Sequence, residues 1–344
     1  MSYAARTVGR MYTIQSLAYG PNSYDRDAAA TAARQARTHN ATDAGRVITT
    51  RERNLRGKGL RRWHSWGFLW ILEEWMDLEP LQRLTKDIKQ AAKTLSADEA
   101  RYLVDAYYAM QGDRIRSDNQ VRALRESEEP HDTIAWLANN AGVLERNIKS
   151  ALDAYGDAHL VGLWSKSVVG IGPVISAGLI AHIDITKAPT VGHIWRFAGL
   201  DPTVSWEKKT KRPWNASLRT LCWKIGESFV KVSGREDDVY GKLYLARKAK
   251  EIARNDAGEL TEQAAAKLER FKIGKGTEAR KHYEAGRLPP AHIHARAKRW
   301  AVKLFLAHWQ EVAYRDHFGE PAPKPYVLSQ LQHGHEIRCP NWPF

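Results

Sequence analysis

Apolar and polar positions alternate with a helical period along most of the chain. In "LSADEARYLVDAYYAMQGDRIRSDNQVRALRES", from Leu95, the residues Leu103, Ala106, Tyr107, Met110 and Arg114 recur at helical spacings. Ser96 with Glu99 makes a capping box ahead of them. The pattern predicts one long helix near 97–126, with Gly112 its weak point. A second helix is predicted over Asn139–Tyr155, "NNAGVLERNIKSALDAY", and another over "CWKIGESFVKV". The run "WHSWGFLWILEEWM", Trp63–Met76, is apolar enough for a buried helix. Residues 238–285, rich in Lys, Glu, Ala and Arg, predict exposed helices joined near Gly274 and Gly276. "PPAHIHARAKRWAVKLFLAHWQEVAYRDHF" predicts a closing helix begun by prolines, which suit a first turn that has no amide partner to lose. No alternating strand and no repeat of fixed period stands out, so the chain reads as a mainly α, multi-helix protein.

The two ends break this pattern. Residues 1–62 combine turn chemistry ("YGPNSYDRD") with a basic segment and read as an arm that orders on a partner. Residues 319–344 are Pro-rich and read as extended. Between them the expected organisation is a helical domain over 63–158, a central domain over 159–235, and long charged helices with the closing helix over 236–318.

Charge narrows the function. The chain has 344 residues and a formal net charge of +14. Such a balance favours polyanionic partners, nucleic acid ahead of a membrane surface. The charge is clustered. Arg46–Arg62 holds seven basic residues against Glu52, and from it Arg53, Arg56, Lys58, Arg61 and Arg62 are candidate phosphate contacts. Ser205–Arg235 holds eight against Glu207 and Glu227, with Lys208, Lys209, Lys211, Arg212 and Arg219 the candidates. A solvated basic face is the plain alternative for either run. Among the 13 tryptophans most are expected to serve burial, while Trp206 and Trp214, which bracket "EKKTKRP", are placed to stack on bases. On the long helix, Tyr107, Tyr108, Gln111, Arg114, Arg116, Asn119 and Gln120 offer donors to phosphates or bases, or form a polar seam between protomers of a homo-oligomer. No apolar run is long enough for a membrane span and no signal peptide is evident. The two cysteines, Cys222 and Cys339, have no CxxC spacing, so a cytoplasmic location is expected.

The stretch "VVGIGPVISAGLIAHI", 168–183, carries the most specific signal. Gly170 and Gly172 can take positive φ and bring backbone close to a ligand, and Pro173 suits a helix start. The amides of Gly170, Ile171, Gly172 and Val174 at such a turn make an anion site. A tight helix–helix turn without a ligand is the alternative. An apolar-x-Gly-apolar-Gly-Pro turn before a helix resembles the helix-hairpin-helix motif, which holds a nucleic-acid backbone without reading sequence. The likeness extends through "APTVGHIWRFAGLDPT", the basic segment and "WNASLRTLCWKIGESF". Residues 160–235 are similar to the C-terminal domain of bridge-RNA-guided insertion-sequence transposases, which join a RuvC-like catalytic domain to a helix-hairpin-helix domain. The positions filled are Gly170–Pro173, Asp184, Phe197–Pro202, Lys208–Arg212 and Asn215–Arg219.

The resemblance implies a nucleic-acid-binding protein of a phage or mobile element, DNA being favoured over structured RNA. It also implies K⁺ or Na⁺ as a possible ligand of the hairpin carbonyls. The family's loop serine would correspond to Ser205, but here the small Ser-Gly pair is replaced by "SWEKK". No strand-borne acidic cluster of a RuvC-like domain is visible in residues 1–95. The expectation is therefore a binding protein without strand-cutting activity. The alternatives are a serine-dependent transposase, recombinase or nuclease, and a structural subunit of a larger complex. His292, His294, His308, His317 and the group His333, His335 and Cys339 invite a zinc site. A tail packed on the body is the favoured reading of the last group, and no metal site is expected. Asp184 and Asp201 are expected to cap turns.

Overall fold

The computed structural model describes residues 83–207, 209–323 and 337–344. They belong to one unit, Glu79–Phe344. Among the described residues there are eleven α-helices and no strand, so the protein is mainly α. The expected helix over Trp63–Met76 lies outside the described residues.

A short helix α1, Lys86–Ala91, and a 3-10 turn, Ala92–Thr94, lead into α2, Ala97–Glu126. The capping box forms: Ser96 Oγ accepts from the Glu99 amide at 3.3 Å and Glu99 Oε2 accepts from the Ser96 amide at 2.8 Å. Gly112 does not interrupt the helix, which at about 1.5 Å per residue is about 45 Å long. Its antiparallel partner α3, Asp132–Asp157, begins seven residues before the predicted start at Asn139. The physical reason is that Trp136 and Leu137, in that first stretch, face solvent, so no apolar stripe marks it. The two helices meet along a polar seam. Glu145 accepts from Gln111 Nε2 at 3.2 Å and from Arg114 Nε, and Arg114 also pairs with Asp118 at 3.0 Å. Burial opposes the Glu145 charge, but these bonds hold its carboxyl below the usual range. The seam thus lies inside one chain.

Helices α4, Leu160–Ser167, and α5, Pro173–His182, follow, joined by the turn at 168–172. Helix α5 is apolar on nearly every side because it is enclosed: Val174, Ala177 and Ala181 pack toward α2 and α3, and Leu179 packs into the main core. That core is built from α4, α5, α6 (Val191–Phe197), α7 (Ala216–Val232), α8 (Tyr240–Asp256) and α11 (Pro290–Phe318). Its centre is aromatic. Phe229 stacks on Tyr240 at 5.0 Å, Trp164 on Phe305 at 5.6 Å, and Phe305 meets Phe229 and Tyr240 edge-on. Trp164 and Trp309, both buried, therefore serve packing, as expected for large aromatics. One apolar cluster joins residues of the expected 159–235 and 236–318 segments, through Tyr240, Tyr244 and Phe305.

Helix α8 is held to α11 by Glu251, fully buried and ion-paired to Arg247, Arg254 and Arg296. Helices α9, Thr261–Arg270, and α10, Glu278–Glu284, enclose a small satellite core of Leu260, Ala264, Leu288 and Ile293. They are shorter than the long helices expected for 238–285, because Gly258 (φ +80°) ends α8 as well as Gly274 and Gly276 spacing α9 from α10. The last residues pack on the body: Trp164 Nε1 donates to the Pro340 carbonyl at 2.8 Å, Asn341 Nδ2 to the Ser167 carbonyl at 3.0 Å, and His308 bonds the Ile337 carbonyl at 2.8 Å.

Candidate nucleic-acid interface

The turn between α4 and α5 is shaped by two glycines in different ways. Gly170 has φ +93°, and a Cβ there would stand 3.1 Å from Ser228 Oγ and 3.2 Å from Val232 Cγ2 on α7. Its carbonyl accepts from the Ser228 hydroxyl, while the Ile171 amide bonds the Val168 carbonyl at 3.0 Å. Gly172, free as a glycine to take positive φ, is the N-cap of α5 in extended backbone, φ −97°. It must only lead the chain into a helix whose first residue is proline, and extended backbone does this without strain. A Cβ on Gly172 would meet nothing within 4 Å. The Ile171 and Val174 side chains are buried, so what this turn presents outward is backbone. The Gly172, Val174 and Ile175 amides have no hydrogen-bond partner among the described residues. Unpaired first-turn amides carry the positive end of the helix dipole and suit an anion. The carbonyls of Val168, Gly170 and Gly172 each already accept a bond within the chain, so a K⁺ or Na⁺ ion would share oxygens with Ile171, Ser228 and Ser176.

Helix α7 supplies the second wall. Asn215 Oδ1 accepts from the Leu218 amide at 2.8 Å and starts the helix. Leu218, Leu221, Cys222, Ile225 and Phe229 then face the core, and burial pushes the Cys222 thiol up to about 12. The helical period leaves Arg219, Trp223, Lys224, Glu227 and Lys231 on the outer side. Between this side, α2, α3 and the start of α5 lies a groove of about 370 Å³ lined by Tyr108, Lys149, Gly172, Trp223, Lys224 and Lys231 among others. Lys224 Nζ sits 3.6 Å from the Tyr108 ring centroid. Burial, and then the charge of Lys231, lower its pKa. The groove's carboxylate, Glu227, is ion-paired to Lys298. Lys149, Lys224 and Lys231 have no carboxylate partner among the described residues. Three cations around unpaired helix-start amides can hold phosphate oxygens, and beside them stands the exposed ring of Trp223, with Lys298 Nζ 5.6 Å from its centroid.

The basic loop lies between α6 and α7. Lys209, Lys211 and Arg212 are exposed there, and Lys209 adopts φ +72°. Trp206 and Trp214 meet edge to face at 6.3 Å, with Arg212 over Trp206 and Arg219 4.5 Å over Trp214. Gly199, at φ +65°, lies against Trp214. The faces of both rings are thus engaged by the chain's own guanidinium groups. Ser205 is exposed, and its hydroxyl forms no hydrogen bond among the described residues, which do not include Lys208. Arg114 is tied to Glu145 and Asp118. Lys208, Arg53, Arg56, Lys58, Arg61 and Arg62 lie outside the described residues, as do His333 and His335.

Among the described residues no three His, Cys, Asp or Glu side chains group as metal ligands. His292, His294 and His308 each bond a tyrosine hydroxyl, those of Tyr283, Tyr244 and Tyr240. Asp184 and Asp201 accept from the amides and hydroxyls of Thr186 and Thr203, as turn caps do. The Thr186 and Lys187 bonds hold the Asp184 carboxyl down at about 2. No helix among the described residues is long and apolar enough to cross a membrane. Sequence reasoning did not single out Lys149, Trp223, Lys224 or Lys231 as site residues. The spacing of residues 219, 223, 227 and 231 is a readable signal for the outer side of α7, whereas Lys149 joins it only through folding. Comparison with protein-family models, with curated proteins and with solved structures returns no match.

Proposed function

We propose that this chain binds nucleic acid by its phosphate backbone, with DNA the favoured ligand and structured RNA the alternative, and that it belongs to a phage or other mobile element. One observation carries the reading: Lys149, Lys224 and Lys231 line the groove at the start of α5, whose first amides are unpaired and whose three lysines have no carboxylate partner among the described residues. Uncompensated cations repel one another, and a polyanion relieves that repulsion. The Gly170–Val174 turn positions the backbone, and the exposed loop Lys209–Arg212 and Arg219 extend the basic surface from the other end of α7. Because the contacts reach phosphates rather than base edges, binding is tolerant of sequence. Ser205 is exposed, with no hydrogen bond to its hydroxyl among the described residues, and this favours holding a strand over cutting one.

The test uses the full-length protein with a fluorescent duplex DNA of about 30 base pairs, and a hairpin RNA of the same sequence, titrated from about 50 to 300 mM KCl. Replacing Lys149, Lys224 and Lys231 together by Ala is expected to lower the slope of log K against log salt by about 2 to 3, near 0.9 for each duplex phosphate that is no longer neutralised. Absence of binding at the lowest salt, or an unchanged slope in the variant, overturns the reading. A stronger effect on the RNA arm makes RNA the ligand.

A further inference from the structure

The seam between α2 and α3 opens, toward the closed end of that helical hairpin, into a second groove of about 560 Å³. Ala135, Ala138 and Gly142 of α3 form a floor with almost no side chain. Arg114, Arg122 and Arg125 from α2 and Arg146 from α3 line its sides. Residues 114, 118, 122 and 125 fall at i, i+4, i+8 and i+11, so they make one stripe along α2. Arg114 is fixed by Glu145 and Asp118, and Asp118 is the groove's acidic residue. Arg122, Arg125 and Arg146 form no ion pair and no side-chain hydrogen bond among the described residues. Gly142 keeps the floor bare: a Cβ there would stand in van der Waals contact with Arg114 Cδ and an Arg146 nitrogen, each at 3.4 Å.

We infer that this groove is a second phosphate-binding site on the same nucleic-acid ligand, a continuation of the basic surface along the α2–α3 seam. The inference rests on the nucleic-acid reading above. Arginine forks bind phosphate oxygens in pairs and suit a shallow groove better than ammonium groups do. The placement supports one continuous track. Gln111 and Tyr108 line the first groove while Arg114 lines the second, and Arg146 stands one helical turn from Lys149. From Tyr108 to Arg122 the helix rises about 21 Å, or about six base-pair steps of a duplex axis. Beyond Arg125 the surface turns acidic, with Glu126, Glu128, Glu129 and Asp132 at the turn between the helices, so the track ends there.

The test uses the full-length chain and the same two probes, duplex DNA and hairpin RNA. Arg122→Ala, Arg125→Ala and Arg146→Ala are combined in one variant. Lys86→Ala, Lys89→Ala and Lys93→Ala, on the exposed surface of the α1 region, remove the same charge elsewhere. The groove variant is expected to lose about 2 to 3 from the salt slope and at least about tenfold in affinity, while the control loses under about 0.5 from the slope. Gly142→Leu, which fills the groove and leaves the charge unchanged, is expected to weaken binding as well. All variants should keep the wild-type far-ultraviolet circular dichroism. If wild type binds and the groove variant keeps its slope, or if the control loses as much, the second site is overturned and the first reading stands. If wild type binds neither probe, the nucleic-acid reading itself fails.

Discussion

Replacing Gly170 and Gly172 separately by alanine should have different consequences, although the two lie in one five-residue turn. At Gly170 the backbone has φ +93°, and the added methyl group meets Ser228 Oγ at 3.1 Å and Val232 Cγ2 at 3.2 Å. The left-handed backbone alone costs an alanine about 1–2 kcal/mol, and crowding against α7 brings the expected loss to about 2–3 kcal/mol. At Gly172 the backbone is extended and the methyl group meets nothing within 4 Å. The weaker N-cap and the reduced freedom of the unfolded chain offset each other, so stability should change by less than about 0.5 kcal/mol. The methyl does enter the groove that Gly172 lines, beside the unpaired amides of α5. Affinity for duplex DNA should therefore fall about tenfold, equivalent to about 1.4 kcal/mol. Urea denaturation of each full-length variant, at constant slope with denaturant, reads the first effect, and salt-titrated anisotropy reads the second. Equal losses of stability at the two positions would refute the geometry of the turn. A Gly172→Ala protein that binds like wild type would refute the role of its amides.

Two further outcomes follow from local contacts. His308 lies between the Tyr240 hydroxyl and the Ile337 carbonyl, and burial lowers its pKa although the Ile337 bond pulls the other way. Its folded pKa is below the unfolded value of about 6.5, so the unfolded chain takes up the proton first and stability falls as pH drops below that value. His159, His182, His292 and His294 are shifted the same way, so the share of His308 is read as the difference between wild type and His308→Gln over about pH 7 to 5. An identical pH profile in the variant would remove His308 from the account. Asn215→Ala removes the cap of α7 and should cost about 1 kcal/mol in urea denaturation, with no change expected from Asn215→Ser.

Much of the helical framework is legible in the amino-acid sequence. Ser96 with Glu99, Pro173 and Pro290 stand at the helix starts as read, whereas α7 begins six residues before the expected Cys222, behind the Asn215 cap. Capping and hydrophobic period are local, so neighbouring residues announce them. The signal fails where an element lacks a buried stripe, as at the exposed start of α3 with Trp136 and Leu137. It fails again at Gly172, because a Gly-x-Gly spelling does not say which glycine takes the left-handed backbone.

What the sequence by itself determined is a mainly α chain with a strong surplus of positive charge and a glycine turn ahead of an apolar helix. Only the tertiary structure decided which cations remain available. Arg114 is satisfied by Glu145, 31 residues away, and Lys298 by Glu227, 71 residues away. Lys149, 75 residues before Lys224 in the chain, lines the same groove at the start of α5, and neither has a carboxylate partner among the described residues. Arg122, Arg125 and Arg146 are left over from the α2–α3 seam in the same way. Charge pairing depends on distance in space and is indifferent to distance along the chain. A count of basic residues therefore predicts a polyanion partner, while folding selects the few lysines and arginines that can meet it.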